Sequence, residues 1–163
     1  MVAETVFLTP EGRDKLVDEL RHLVEDRRPE VANLIREAKE AGDISENAGY
    51  DEAKEQQAFL EGRIHHLEDI LKRAEVIRPP NGSDAVSIGS HVTVAEEGES
   101  PEAFRIVGSA EADPAQGFIS NESPLGRALL GKRVGDRTNI QTPDGSSLTF
   151  RVLAISAEPP GAS

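Results

Sequence analysis

Asp43 and Glu46 stand three residues apart in the stretch Gly42-Asp43-Ile44-Ser45-Glu46-Asn47-Ala48-Gly49-Tyr50. Two carboxylates at this spacing suit magnesium, a hard cation that commonly takes only one or two protein carboxylates and keeps most of its waters. Alone they would hold the ion weakly, so a partner would have to supply further ligands. The same spacing is that of a capping box, with Asp43 at the cap and Glu46 at the third helical position, where both favour the positive end of a helix. Spacing leaves both readings open. Location favours the first, because the stretch interrupts a long heptad pattern and so falls at the tip of a helical hairpin, far from any core.

Two arms must position that tip. Leu16, Leu20, Leu23, Arg27, Val31, Leu34 and Ala38 precede it, and Ala53, Gln57, Leu60, Ile64, Leu67, Leu71 and Ala74 follow, in steps of three and four that mark one mostly apolar seam per arm. Arms joined by a short turn fold back as an antiparallel pair. Thr9-Pro10 reads as a helix start, with Thr9 as cap and Pro10 at the first helical position. The first arm then runs to about Ala41, with a distortion near Arg27 and Arg28 because Pro29 removes a backbone donor and crowds the preceding turn. Gly42 supplies a left-handed residue to end the helix, and the second arm runs from about Ile44 to Ala74. Arms of about thirty residues make a rod on the order of 45 Å long. His65 and His66, adjacent on the second arm, point about 100° apart and read as solvated polar positions, not a chelating pair. His22 and His91 have no partner evident from spacing.

A linker follows the arms in Arg78-Pro79-Pro80-Asn81-Gly82-Ser83-Asp84, and beyond it the period changes. Strands are expected over residues 86–94, 104–107, 117–120, 138–141 and 148–155, with Pro143-Asp144-Gly145 as the turn between the last two. Ser123-Pro124-Leu125-Gly126-Arg127-Ala128-Leu129-Leu130-Gly131 reads as a short helix with a Ser cap, Pro at its first position and Gly beyond it. The fold class is therefore α+β: an N-terminal antiparallel coiled-coil hairpin over 1–78, a linker at 79–84, a small β-sheet domain with a short helix over 85–158, and a disordered tail at 159–163.

Composition closes several function classes. The 163 residues include no cysteine, which removes disulfides, thiolate zinc sites and thiol nucleophiles. The net charge of −12 is shared between the two parts: residues 1–79 hold 12 Lys and Arg against 19 Asp and Glu, and residues 80–163 hold 6 against 11. A chain so acidic is a poor candidate for independent DNA or RNA binding, which depends on cationic side chains displacing counterions. No apolar run approaches the ~18 residues that span a bilayer, and residues 1–5 do not resemble a secretory signal. A cytoplasmic protein with no membrane role is expected.

The tip motif, continued by Ala53-Lys54-Glu55-Gln56-Gln57 and Glu61-Gly62-Arg63-Ile64 and preceded by Arg27-Arg28-Pro29-Glu30, resembles the GreA transcript cleavage factors of bacterial RNA polymerase. Phe104-Arg105-Ile106-Val107-Gly108 and Ser123 to Lys132 match the same family, so the resemblance covers nearly the whole chain. Gly49 departs from it where many relatives carry Glu, which removes one charge near the tip. The resemblance implies an FKBP-like fold for the second domain and a coiled coil that enters the polymerase's secondary channel. It further implies that Asp43 and Glu46 are the catalytic tip acids, which help hold a second Mg²⁺ jointly with the polymerase during hydrolysis of backtracked RNA. Lys39, Asn47, Tyr50 and Lys54 match positions near the RNA 3′ end and active site. Two lysines make only a weak basic patch, and Tyr50 has two open roles, stacking on a nucleotide or packing against the opposite arm. Ser123, Pro124, Leu125, Arg127 and Leu129 belong to the region implied to grip the polymerase, with Leu125 and Leu129 burying apolar area in the core or against the partner.

Three functions follow. The leading one is a monomeric transcription elongation factor that stimulates the polymerase's own RNA cleavage and is not itself an enzyme. The alternative is a channel-occupying polymerase inhibitor, against which the two tip acids argue. The third is a peptidyl-prolyl isomerase, disfavoured because residues 84–158 hold Phe104, Phe118 and Phe150 but no Tyr or Trp to build a proline pocket.

Overall fold

The structure is a computed structural model that describes residues 4–42, 48–79 and 84–159. Its contacts divide the chain into two units. Residues Arg13–Arg73 form a helical unit, while the described residues through Gly12 join those from Ala74 onward in a sheet unit. This border differs from the one read at residue 78, and backbone pairing is the reason. A three-residue strand β1 (Val6–Leu8) pairs in parallel with β2 (Ala74–Val76), flanking the hairpin in sequence. Runs so short carry no alternation, which is why periodicity did not show them.

The first arm is continuous but not uniform. Helix α1 (Pro10–His22) passes into a π-helical turn (Leu23–Arg27) and then into α2 (Arg28–Glu40). Thr9 caps α1 as expected, its Oγ1 accepting from the Gly12 N–H at 3.1 Å. The π-turn is the distortion that Pro29 demands. Here the Arg28 N–H reaches back to the Leu23 carbonyl, and Pro29, in the first turn of α2, needs no donor of its own. The wider turn also moves the seam. Val31 is buried and Ile35 packs on the cluster it forms with Leu60 and Ile64, whereas Leu34, a seam position by heptad counting, is 41% exposed. Helix α3 (Ala48–Lys72) buries Ala53, Leu60, Ile64, Leu67 and Ile70 as the facing stripe.

Two bidentate ion pairs tie the arms on either side of this seam. Arg28 donates Nε and an Nη to the Glu61 carboxylate at 2.9 Å each. Arg63 does the same to Glu19 at 2.7 and 2.9 Å. The motif residues around Arg28 and Arg63 thus hold the hairpin in register, and the planar fork of Arg is what that geometry requires. Each Arg holds its carboxylate below the usual range, chiefly by hydrogen bonding.

The sheet unit has five strands in the order β5-β4-β3-β7-β6: β3 (His91–Glu96), β4 (Glu102–Val107), β5 (Phe118–Ser120), β6 (Arg137–Gln141) and β7 (Ser147–Ser156). All neighbours are antiparallel except β4 and β5. Residues 87–90, expected within the first strand, instead form a turn, closed by the Ser90 N–H on the Ser87 carbonyl, with Gly89 at φ 95°. The short helix α4 (Pro124–Leu129) covers a core of Val86, Val92, Val94, Ile106, Ile119, Leu129 and Val152.

Contacts far apart in sequence fix β1 and the start of α1 to this sheet unit. A Cβ on Gly108 would lie 1.7 Å from the Phe7 carbonyl oxygen, so only glycine allows the two backbones to approach. Glu111 accepts from the Thr9 N–H at 2.7 Å and from the Thr9 hydroxyl at 2.5 Å. Glu11 accepts from Arg105 at 3.0 Å. Of the segments read as linker and tail, residues 80–83 and 160–163 lie outside the described residues.

Candidate functional site

Asp43, Glu46 and Asn47, the central residues of the tip reading, lie outside the described residues, which resume at Ala48. The structure does describe the two helix ends that these residues join. Helix α2 closes with the Ala41 N–H on the Glu37 carbonyl at 3.1 Å, and Gly42 follows at φ 134°, a value that favours glycine and fits its expected role as helix terminator. Leu34, Glu37, Ala38 and Ala41 of this end share one groove with Gly49, Glu52, Ala53 and Gln56 of α3. The arms therefore stay together up to their last turns, and small residues line the approach. The exposed Leu34 belongs to this groove.

Around the tip, Lys39 is exposed in the last turn of α2, Tyr50 is half-buried in the first turn of α3, and Lys54 is exposed one turn further on. Lys54 donates to the Gln57 side chain at 2.8 Å, which lays its ammonium along the helix. Asp51, Glu52 and Glu55 are exposed nearby, so the described rim of the tip is acidic with two cations interspersed. Among the described residues no cluster of three or more His, Asp or Glu side chains could hold a metal ion. Asp43 and Glu46 are two carboxylates, a donor set of the size that magnesium commonly takes from a protein.

The second candidate surface is α4. Ser123 caps it, accepting from the Gly126 N–H at 3.0 Å and donating its hydroxyl to the Ser120 carbonyl at 2.7 Å. Pro124 and Arg127 are exposed, and Leu125 is half-buried against the sheet core. Leu129 is 0% exposed and belongs to the core itself, so of its two expected roles the structure gives it packing, and it shapes the surface from beneath. Gly126 is required there, since a Cβ would lie 1.9 Å from the Ser120 carbonyl oxygen.

Several polar features stand apart from the patterns evident in the sequence. His22 Nδ1 lies 2.8 Å from Asp26, a pair whose i,i+4 spacing on a helix was available as a signal. His91 is half-buried, and its pKa is lowered by burial and by Arg105. A pocket in the sheet unit is lined by Val94, Glu96, Glu99, Ser100, Glu102 and Phe150. Three carboxylates and one aromatic ring do not make a proline-binding cleft.

Two family models together match most of the chain. The family model described as Transcription elongation factor, N-terminal, matches residues 6–76, and that described as Transcription elongation factor, GreA/GreB, C-term, matches 80–157. The chain is 50% identical over 157 residues to the transcription elongation factor GreA of Thermomicrobium roseum, covering 95% of this chain and 99% of that one. It is 52% identical over 147 residues to GreA of Chloroflexus aggregans, covering 89% and 94%. Among solved structures it is similar to GreA factor homolog 1 (Gfh1) of Thermus thermophilus, at 35% identity, 94% and 99% coverage and a TM-score of 0.44. The chain belongs to the GreA/GreB family of transcription elongation factors. Among its described residues no helix is long and apolar enough to cross a membrane.

Proposed function

We propose that this protein works on bacterial RNA polymerase, inserting its helical hairpin into the secondary channel and stimulating the polymerase's own cleavage of backtracked RNA. The observation that carries the reading is the pairing of α2 and α3 through to the groove shared by Ala38, Ala41, Gly49 and Ala53. That pairing delivers the Gly-Asp-x-x-Glu-Asn stretch between two held helix ends. Asp43 and Glu46 are the residues that would hold a magnesium ion jointly with the polymerase. When bound there, such an ion activates water and neutralises charge around a phosphate undergoing in-line displacement. Lys39 and Lys54 lie beside the extruded RNA 3′ end, and Asn47 and Tyr50 border it. Ser123, Pro124, Leu125 and Arg127 form the polymerase grip, with Pro124 and Arg127 its exposed part.

On this reading the protein is a factor and not a nuclease. Two carboxylates in water neither exclude solvent nor preorganise dipoles around a phosphate, and an acidic hairpin repels RNA unless a partner holds both. The test adds purified protein to a stalled, backtracked elongation complex carrying end-labelled RNA, with parallel reactions lacking polymerase. Shortened RNA is expected only when both components are present. Blocked extension without shortening would assign the protein to channel occupation, and shortening without polymerase would place the catalytic centre in this chain.

A further inference from the structure

Two residues of α3 are not accounted for by packing among the described residues. Phe59 is 74% exposed, in the middle of a helix whose apolar stripe lies elsewhere. Gly62, three residues on and therefore on the same face, sits in the interior of the 25-residue helix, where glycine is disfavoured relative to alanine. Nothing lies within 4 Å of where its Cβ would be, so no contact among the described residues requires glycine there. This contrasts with Gly108 and Gly126, whose Cβ atoms would meet carbonyl oxygens at 1.7 and 1.9 Å. The chain therefore presents a large apolar knob beside a patch of bare helix backbone. A knob next to a notch is the form of a docking surface that admits a close-fitting wall.

The charges around the knob define the chemistry of that wall. Glu55 and Glu52 lie on the Phe59 face of α3 one and two turns toward the tip, both exposed. On the other side are His66, exposed, and Arg63, whose guanidinium is taken up by Glu19. The rim is thus acidic, which disfavours both RNA and an anionic membrane as occupants.

We infer that the Phe59–Gly62 face of α3 is a docking surface for a protein wall of the polymerase channel, an apolar recess edged by Lys or Arg side chains that face Glu52 and Glu55. This inference rests on the proposed function, from which it takes the identity of the partner. It adds that the arm itself is gripped along its flank, so that tip and α4 are not the only points of attachment. The close approach at Gly62 explains why a bulkier residue is absent where the helix alone would prefer one.

The test measures binding of the full-length protein to core polymerase, comparing the parent with Phe59→Ala and Gly62→Ala. Both substitutions favour the helix, so thermal midpoints at or above the parent's are expected, and a loss of binding cannot then be assigned to unfolding. Dissociation constants about tenfold higher or more are expected for Phe59→Ala, with a loss for Gly62→Ala as its methyl lifts the wall. Glu55→Lys should weaken binding further as salt is lowered. If the parent binds and both variants bind equally well, the docking face is refuted while the proposed function stands. If the parent itself does not bind polymerase, the proposed function fails and this partner fails with it. Sedimentation that reveals a dimer dissolved by Phe59→Ala would overturn the inference in favour of a second copy of the chain.

Discussion

Replacing Gly126 with alanine opposes two effects whose balance the structure decides. Alanine is favoured over glycine in a helix interior by about 1 kcal/mol, so propensity alone predicts stabilisation. At this site, however, the new Cβ would lie 1.9 Å from the Ser120 oxygen, 2.9 Å from the Ser120 carbonyl carbon and 3.1 Å from Ser123 Oγ. An ordinary contact begins near 3.4 Å, so β5 and α4 must separate by more than an ångström. Overpacking of this kind costs about 1–3 kcal/mol. Separation also strains the Ser123 cap, which holds both the Gly126 N–H and the Ser120 carbonyl and whose loss costs about 1 kcal/mol. The net expectation is a destabilisation of about 1–3 kcal/mol, confined to the sheet unit. Because that unit has no Tyr or Trp among residues 84–158, the measurement is hydrogen exchange resolved by peptide, with thermal unfolding followed by circular dichroism. Gly62→Ala, also mid-helix but with open space at its Cβ, is the control and should gain up to about 1 kcal/mol. Equal stabilisation by both substitutions would refute the packing argument.

Glu111→Gln leaves one amide oxygen where two carboxylate oxygens receive the Thr9 N–H and hydroxyl, and its NH₂ must face a donor; urea denaturation should show a loss of about 1–3 kcal/mol, with exchange rising first in residues 6–12. Glu19 and Glu61 have lowered pKa values from hydrogen bonding to Arg63 and Arg28, so their stabilisation is complete above the ordinary value of 4.5 and is lost as pH falls through the lower folded values. Thermal midpoints of the parent should therefore fall below pH 4.5 more steeply than those of the double variant Arg28→Met/Arg63→Met. His91, lowered from 6.5 first by burial and then by Arg105, favours its neutral form in the fold; its contribution is present above pH 6.5 and lost as pH falls through the lower folded value, a dependence that His91→Gln should abolish.

Much of this fold is legible in local patterns. The Thr9 and Ser123 caps, the glycine ending α2 and the disturbance before Pro29 all follow from the chemistry of one turn of chain, and each appears in the structure. The seam could be read as far as Leu23 and again from Val31, but Leu34 and Ile35 exchange roles because a π-turn adds a residue that heptad counting does not carry. Contacts between distant residues left no such trace. Thr9 and Glu111 are 102 positions apart, Arg63 and Glu19 are 44 apart, and β1 and β2 are three residues long. The candidate site was legible in a different way, through a motif and its place between two patterned arms. Its acids were visible as residue types, whereas the groove that α2 and α3 share depends on packing between arms, which local spacing does not carry.

The central claim, that the tip acids act on metal and not merely as helix caps, is tested most directly by Asp43→Asn and Glu46→Gln in the backtracked-complex cleavage assay, with polymerase affinity measured on the same preparations. Each substitution keeps side-chain size while removing a charge, and Asn is as good a helix cap as Asp. The account predicts near-parental affinity together with loss of stimulated cleavage for both variants. Parental cleavage by either variant, at matched occupancy of the polymerase, would contradict it and leave Asp43 and Glu46 as capping residues.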